Sequence, residues 1–467
     1  MKLRNLKFLA LPATLTLNLA LCGSMALGAA TAPAEGPGAP KNAASGSQIA
    51  QVEGFDWGPG VTKTIISLDR AVTADSVQAA KFSVNEHKQT YDYAAYGQLS
   101  KNAPYTHTGG RTLRTITDAY TCDENGSPAG GSSSHIALEL KCTPEEGSCF
   151  YYSLGTSQNS WCSYYNLDVA LEDNCTLTAQ DGSEISQLAV NPSIDWNESL
   201  MPDLAGFDLT GTFESLDGDK MTYASYVPTN AGPNHKRPLV IWLHGAGEGG
   251  RDPRIVLLGN KVTALAKPEF QNTMGGAYIL APQVPDFWMT YDETGSWADN
   301  PGTDSVHLKG LKELIDTYVA ANPGIDTNRI IIGGCSNGGY MTMNMILNYP
   351  DYFAAAYPIC EAYRDSSITD EQLLSIKELP VWFVYANNDD TVAPGAHAAT
   401  TVLRLKAINA NMRASIFSDV HDTTGLYKAG DGSDYQYSGH WSWIYFFNNQ
   451  CRNNRLTMWS WMSQRSR

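Results

Sequence analysis

Polar and apolar residues alternate in the first half of the chain and then give way to longer apolar blocks. Residues 62–68 (TKTIISL), 134–140 (SHIALEL) and 165–171 (YNLDVAL) place apolar side chains at every second position, as strands buried on one face require. Turn-forming clusters such as residues 123–126 (DENG) and the pair Asp181-Gly182 separate them. Short alternating strands at this spacing predict an all-β sandwich of immunoglobulin type over residues 49–203. Near Leu204 the period changes. Residues 238–243 (PLVIWL) are apolar throughout and predict a strand covered on both faces by helices. Residues 220–228, 276–282 (GAYILAP), 330–332, 379–385 (LPVWFVY) and 414–417 (ASIF) read as further strands. Residues 306–321 and 340–349 read as helices. The second half, residues 204–467, is therefore predicted to be α/β with a parallel sheet.

The first 32 residues carry Lys2, Arg4 and Lys7, then an apolar run, then small residues, the pattern of a secretory signal peptide. Cys22 resembles the cysteine of a lipoprotein box, but Leu21 stands where a small residue is expected, so peptidase cleavage is favoured over lipid anchoring. Residues 33–48, rich in Ala, Pro, Gly and Ser, read as a linker. The expected location is thus secreted or periplasmic, with no later run long enough to span a membrane. Removing the leader takes away three of the 32 basic residues and leaves 29 against 48 acidic, a net charge of about −19. Such a surface is repelled by nucleic acid and anionic lipid and favours neutral or cationic partners. Eight cysteines remain, Cys122, Cys142, Cys149, Cys162, Cys175, Cys335, Cys360 and Cys451. An even count in an exported chain predicts disulfides, with the pairing open. No His/Cys spacing suits zinc, and no metal is expected.

The chemistry centres on residues 329–340, RIIIGGCSNGGY. A β-branched strand, a turn crowded with glycine and a helix-compatible segment frame Gly334-Cys335-Ser336-Asn337-Gly338. This fills the G-x-S-x-G pattern in which a sharp turn lifts the serine hydroxyl clear of the backbone. A serine needs a base, and the base needs a carboxylate to orient it. Residues 386–394 (ANNDDTVAP) follow a strand, where the acid belongs when the order is Ser, acid, His. Asp389 is the choice and Asp390 the alternative. Two histidines follow, His421 and His440, and order does not separate them. An oxyanion needs two amide donors. One is expected from Asn337, and the other from the glycine-rich turn after His244, at Ala246 with Gly247 as alternative, Glu248 bracing the turn. No Lys-Ser/Thr pair follows these glycines as a phosphate loop requires. In the first domain His87, His107 and His135 are scattered, and its tyrosines offer at most a carbohydrate or partner surface. Trp288, Trp297, Trp441 and Trp443 fit either a core or a pocket lining.

Residues 243–248 (LHGAGE), 325–330 (IDTNRI), the elbow, 353–360 (FAAAYPIC) and 380–382 (PVW) resemble the secreted α/β-hydrolase esterases often labelled predicted peptidases, related to polyhydroxybutyrate depolymerases and feruloyl esterases. The resemblance covers about residues 213–450, and some members carry an immunoglobulin-like N-terminal domain. It implies hydrolysis of carboxylic esters with no cofactor, a small-molecule or polysaccharide-linked ester as partner, and His440 as the base, because His440-Trp441-Ser442-Trp443 is similar to a terminal His-x-Ser-Trp motif. The chain departs from the family at Tyr385-Ala386 and at Asn337. The alternatives are a serine peptidase related to prolyl oligopeptidases, which the absence of a propeller repeat disfavours, and a polysaccharide-binding protein with a vestigial hydrolase half.

Overall fold

A computed structural model of the protein describes residues 42–89, 111–153, 156–290 and 304–467. The leader with Cys22, residues 33–41 of the expected linker, His107 and Trp297 lie outside the described residues. The linker was expected to reach residue 48, but strand β1 already runs Ala43–Phe55. Its first residues are small and polar, and pairing with neighbours on both sides makes them strand: β2 (Gly58–Val72) antiparallel and β12 (Gln187–Val190) parallel. From Asn42 to Arg467 the chain forms one compact body.

The immunoglobulin-like half is built from two main sheets. The larger has the order β12-β1-β2-β6-β5, with β5 at Ile116–Cys122 and β6 at Ser133–Leu140; the smaller has the order β4-β3-β9, with β3 at Phe82–Lys88, β4 at Thr112–Leu113 and β9 at Tyr165–Leu171. Val52, Ile66, Val84, Leu138, Leu167 and Val169, alternate residues of these strands, form its core. The hairpin of β7 (Phe150–Ser153) and β8 (Gln158–Trp161) stands apart from both sheets, as does the small ladder of β10 (Leu177–Thr178) with β11 (Glu184–Ile185).

The second half is an eight-stranded mixed sheet of order β13-β14-β16-β15-β17-β18-β19-β20. Its strands are β13 (Phe207–Glu214), β14 (Lys220–Tyr226), β15 (Arg237–Leu243), β16 (Tyr278–Gln283), β17 (Ile325–Cys335), β18 (Ala355–Ile359), β19 (Val381–Ala386) and β20 (Met412–Phe417). From β16 to β20 neighbours are parallel, and the β13–β14 and β14–β16 pairs are antiparallel. The apolar run of β15 is divided between two cores. Val240 and Trp242 pack with α1 (Pro253–Gly259), α2 (Pro268–Met274), α7 (Trp443–Phe447) and α8 (Met458–Met462), and Leu239, Ile241 and Leu243 pack with α3 (Leu308–Ala321) and α4 (Asn337–Asn348). A strand covered on both faces has no polar side to show, which is why its sequence does not alternate. The strand order reverses at β15, so a crevice opens between the carboxyl ends of β15 and β17, the place where open α/β sheets hold their sites.

The disulfide expectation is corrected: all eight described cysteines are free thiols. Burial pushes the thiols of Cys122 (to about 11), Cys142 and Cys162 (to about 12), Cys149, Cys335, Cys360 and Cys451 up, so these seven stay protonated and serve as small apolar side chains.

One buried ion network pins the two N-terminal sheets together. The Arg114 side chain is fully buried; it donates to Glu86 (2.8 Å), to Tyr165 Oη (3.2 Å) and to the carbonyls of Val61 (3.0 Å) and Lys141 (2.8 Å). Tyr165 in turn donates to Glu86. Removing Arg114 leaves Glu86 with the Lys88 cation (2.8 Å) and takes the donor from the Val61 and Lys141 carbonyls, so Arg114→Ala is expected to lower stability by about 3–5 kcal/mol in urea unfolding, whereas Lys220→Ala, from an exposed pair with Glu214, costs about 1 kcal/mol or less. Equal losses for the two variants would refute this account of the network.

Candidate active site

Ser336 follows the carboxyl end of β17 and caps α4 at φ 54°, ψ −114°, a conformation side chains seldom adopt. Three backbone bonds hold it there: Ser336 N–H to Ile359 O (2.9 Å), Tyr340 N–H to Ser336 O (2.8 Å) and Ala362 N–H to Ser336 O (3.2 Å). The helix begins at Asn337, three residues before the sequence pattern suggested, so the first-turn amides start directly after the serine and have no intrahelical acceptor. Cys335 is buried, with its thiol 3.7 Å from Asn260 Oδ1, and Ser336 is the partly exposed member of the pair.

The turn after β15 forms a short 3₁₀ helix, Ala246–Glu248, with Ala246 and Gly247 partly exposed. His244, fully buried, sits beneath it: Nδ1–H donates to Gly245 O (2.6 Å) and Nε2 accepts from Val284 N–H (3.3 Å). Burial lowers its pKa to about 4, so the ring is neutral and serves as a strut. Glu248 is buried too, its carboxyl pushed up to about 7 by burial against the hydrogen bonds of Asn159 and the Gly245 amide. Gln283 Nε2 donates to its carbonyl (2.9 Å). The bracing role expected of Glu248 is what these contacts describe.

Asp389 and His440 come together across 51 residues, with His440 Nδ1 2.8 Å from Asp389 Oδ2. The Asp389 side chain is fully buried, and its Oδ1 accepts from the amides of Thr391 (3.0 Å) and Val392 (2.8 Å). Asp390 is exposed. His421 instead pairs with Asp419 (2.6 Å) with about a third of its side chain exposed. Asp389 follows β19, two strands from Ser336, and all of these groups stand beyond the carboxyl ends of the parallel strands. Among the described residues no cluster of three or more His, Cys, Asp or Glu side chains is arranged to hold a metal. Trp288 and Trp443 are core residues and Trp441 is half-buried.

The sequence reading missed two contributors. Asn337 uses its side chain as well as its backbone position, Oδ1 accepting from the amides of Trp288 (2.6 Å) and Met289 (3.4 Å) and tying the elbow to the loop after β16. Asn159, 89 residues before its partner, donates to Glu248 Oε1 (3.1 Å). No local pattern signals a contact at that separation.

This fold and site define an α/β-hydrolase. Residues 226–425 match the family described as phospholipase/carboxylesterase, and residues 49–186 match the family described as esterase Ig-like N-terminal domain. The protein is thus a hydrolase acting on carboxylic esters, with a carboxylesterase-type α/β-hydrolase domain preceded by an esterase-type immunoglobulin-like domain. It is 26% identical over 197 residues to a probable carboxylesterase, SOBER1-like, of Arabidopsis thaliana, covering 38% of this chain and 70% of that one. It is 29% identical over 149 residues to the poly(3-hydroxybutyrate) depolymerase of Ralstonia pickettii, covering 31% of this chain and 30% of that one. A thermostable esterase of known crystal structure shares the fold, with a TM-score of 0.67 at 24% identity over 90% of this chain and 100% of that one.

Beside the site, Asp286 follows β16, and its carbonyl packs against Gly249. His307 bridges two carboxylates, Nδ1 to Asp219 (3.0 Å) and Nε2 to Asp286 (3.3 Å). Burial lowers its pKa, but the two acids outweigh burial and raise it to about 9. Between about 6.5 and 9 the folded chain keeps a proton that the unfolded chain releases. The stabilisation, at most about 3 kcal/mol, is complete below that window and lost as pH rises through it. Thermal melts should show the Tm of the wild type falling toward that of His307→Gln between about pH 6 and pH 10. A gap that stays constant across this range would exclude the ion-pair assignment.

Proposed function

We propose that the protein is an exported serine carboxylesterase working through an acyl-enzyme. Ser336 Oγ attacks the ester carbonyl while His440 Nε2 takes its proton. Asp389 fixes the His440 tautomer with Nδ1–H and steadies the imidazolium. The amides of Asn337 and Ala246 receive the oxyanion. Collapse of the tetrahedral intermediate expels the alcohol, to which His440 returns the proton, and water then repeats the sequence on the acyl-enzyme. The observation that carries this reading is the 2.8 Å bond between Asp389 and His440 on the edge where Ser336 stands in a strained backbone. The same bond supports His440 over His421, whose ring is spent on Asp419. Export rests on the composition of residues 1–32, and the N-terminus of the mature protein recovered from a culture tests it.

The mechanism is tested on p-nitrophenyl esters from acetate to octanoate. Ser336→Ala and His440→Ala are expected to lower kcat by roughly 10⁴ or more and Asp389→Asn by up to about 10⁴. His421→Ala and Asp390→Asn should stay within about threefold of wild type. A wild type inactive on every ester but active on prolyl amides would move the reading to a peptidase, and loss of activity in His421→Ala but not His440→Ala would overturn the choice of base. The acyl-length profile defines the pocket.

A further inference from the structure

The β7–β8 hairpin of the immunoglobulin-like domain lies directly on the turn that is to hold the oxyanion. A Cβ at Gly247 would stand 2.8 Å from Asn159 Nδ2 and 3.9 Å from the Tyr152 ring. One at Gly249 would stand 2.6 Å from Gln158 Nε2. At Gly249 the Asp286 carbonyl also leaves no room, at 1.9 Å. Polar contacts that seat the hairpin include Asn159 Nδ2 to Glu248 Oε1 (3.1 Å), Gln158 Nε2 to Pro285 O (3.2 Å) and Trp161 Nε1 to Asp252 Oδ2 (3.0 Å). Of these, the Asn159 contact reaches the turn itself.

Glu248 has a fixed place but a limited supply of donors. Its carboxyl lies out of water, Oε2 packed against Gly245 and Oε1 against Gly259, and Oε1 receives the Asn159 carboxamide. The Gly245 contact is local, made within the turn that carries Ala246. The Asn159 bond comes from another domain and sets which way the carboxyl faces. Rotation of Glu248 would press Oε2 on the Gly245 backbone and turn the next amide, that of Ala246, away from the oxyanion. Displacements of about 1 Å at such donors cost roughly a hundredfold in rate.

We propose that Asn159 is a positioning residue for ester hydrolysis: a side chain of the immunoglobulin-like domain holds the Glu248 carboxylate and through it aims the Ala246 amide. This rests on the reading of Ser336, His440 and the oxyanion donors given above. The role is carried by geometry that exists only in the intermediate and transition state, so it acts on kcat and leaves ester binding alone.

The test uses the full chain with p-nitrophenyl acetate as substrate and phenylboronic acid as inhibitor, whose tetrahedral adduct with the serine carries a negative charge like that of the intermediate. Asn159→Ala is expected to lower kcat about tenfold or more, with KM within about twofold. Asn159→Asp, which replaces the donor with a negative charge, lowers it further. The boronic acid constant weakens in parallel with kcat/KM. Ser160→Ala, on the same hairpin but turned away from Glu248, keeps wild-type kcat. Glu248→Gln gives the second arm if Asn159→Ala fails to fold, because it keeps the side-chain volume while disrupting the carboxylate that Asn159 grips; the same loss in kcat without loss in KM is expected. Wild-type kcat and boronic acid binding in both Asn159 variants, whether or not Tm falls, would make the contact a docking bond only and overturn the proposal. A wild type with no esterase activity would instead defeat the reading on which it rests.

Discussion

The end of β15 and the elbow after β17 approach each other too closely for any side chain between them, and the site depends on it. A Cβ at Gly334 would stand 2.2 Å from the carbonyl of Leu243, and one at Gly338 would stand 2.0 Å from it. Any other residue at either place would push the two strand ends apart. Because they touch, the 3₁₀ turn at Ala246–Glu248 and the first turn of α4 are held side by side. The strain at Ser336 follows from the same crowding, since a chain that must turn this sharply between strand and helix has no ordinary conformation for the residue at the corner. Three backbone hydrogen bonds across β18 and α4 over-determine that conformation, which is how such strain persists.

Around this unit the protein sets charge by the donors it offers to each buried acid. Asp389 receives two amides and an imidazole. Glu248 receives the Asn159 carboxamide, and burial outweighs its hydrogen bonds to raise its pKa to about 7. Glu361, fully buried just after β18, receives one, the Tyr363 amide at 2.6 Å, and burial raises its pKa well above the carboxylate range, so it stays protonated. The histidines divide in the same way. His244 finds only a carbonyl and an amide and is neutral, whereas His307 finds two carboxylates and is charged. Desolvation favours the neutral form of Glu248, Glu361, His244 and His307 alike, and among them the two carboxylates beside His307 keep that ring charged.

What was legible in the sequence is what has a short period. The apolar block 238–243 and the strand, turn and helix around Ser336 depend on neighbours a few residues away, and they were read in place. The strand at Ala43–Phe55 was cut short because residues 43–48 have a linker's composition. They are strand because Ala43 faces Gln187 and Gly46 faces Leu68, and Gly46 has no room for a side chain beside Ser67 O. The strand β13, at Phe207–Glu214, went unread for a similar reason, since it is an edge strand with only Gly211 fully buried along its length. Chain order left His421 and His440 equivalent. The fold separates them by giving one Asp419, two residues away and half in water, and the other Asp389, 51 residues away and buried. The cysteine count misled because six of the eight described thiols are free of disulfides and buried among apolar neighbours, and the other two, Cys142 and Cys175, are free of disulfides and half-buried.

The relation between the two halves argues against a simple tether. The cross-domain bonds near the site fall on the two segments that follow β15 and β16: Glu248 and Asp252 on one, Pro285 on the other. Arg254 adds a bond to the carbonyl of Trp196 (3.1 Å), and farther out Asp56 accepts from Lys261 (2.9 Å) and Asn448 (3.0 Å). A domain attached only to bind a surface has no reason to concentrate directional contacts on the turn that follows β15. Neither Gly247 nor Gly249 has a positive φ; a Cβ at Gly249 would meet the Asp286 carbonyl first, and one at Gly247 would meet the Asn159 side chain. The turn after β15 is therefore packed from two sides, by the loop after β16 and by the immunoglobulin-like hairpin.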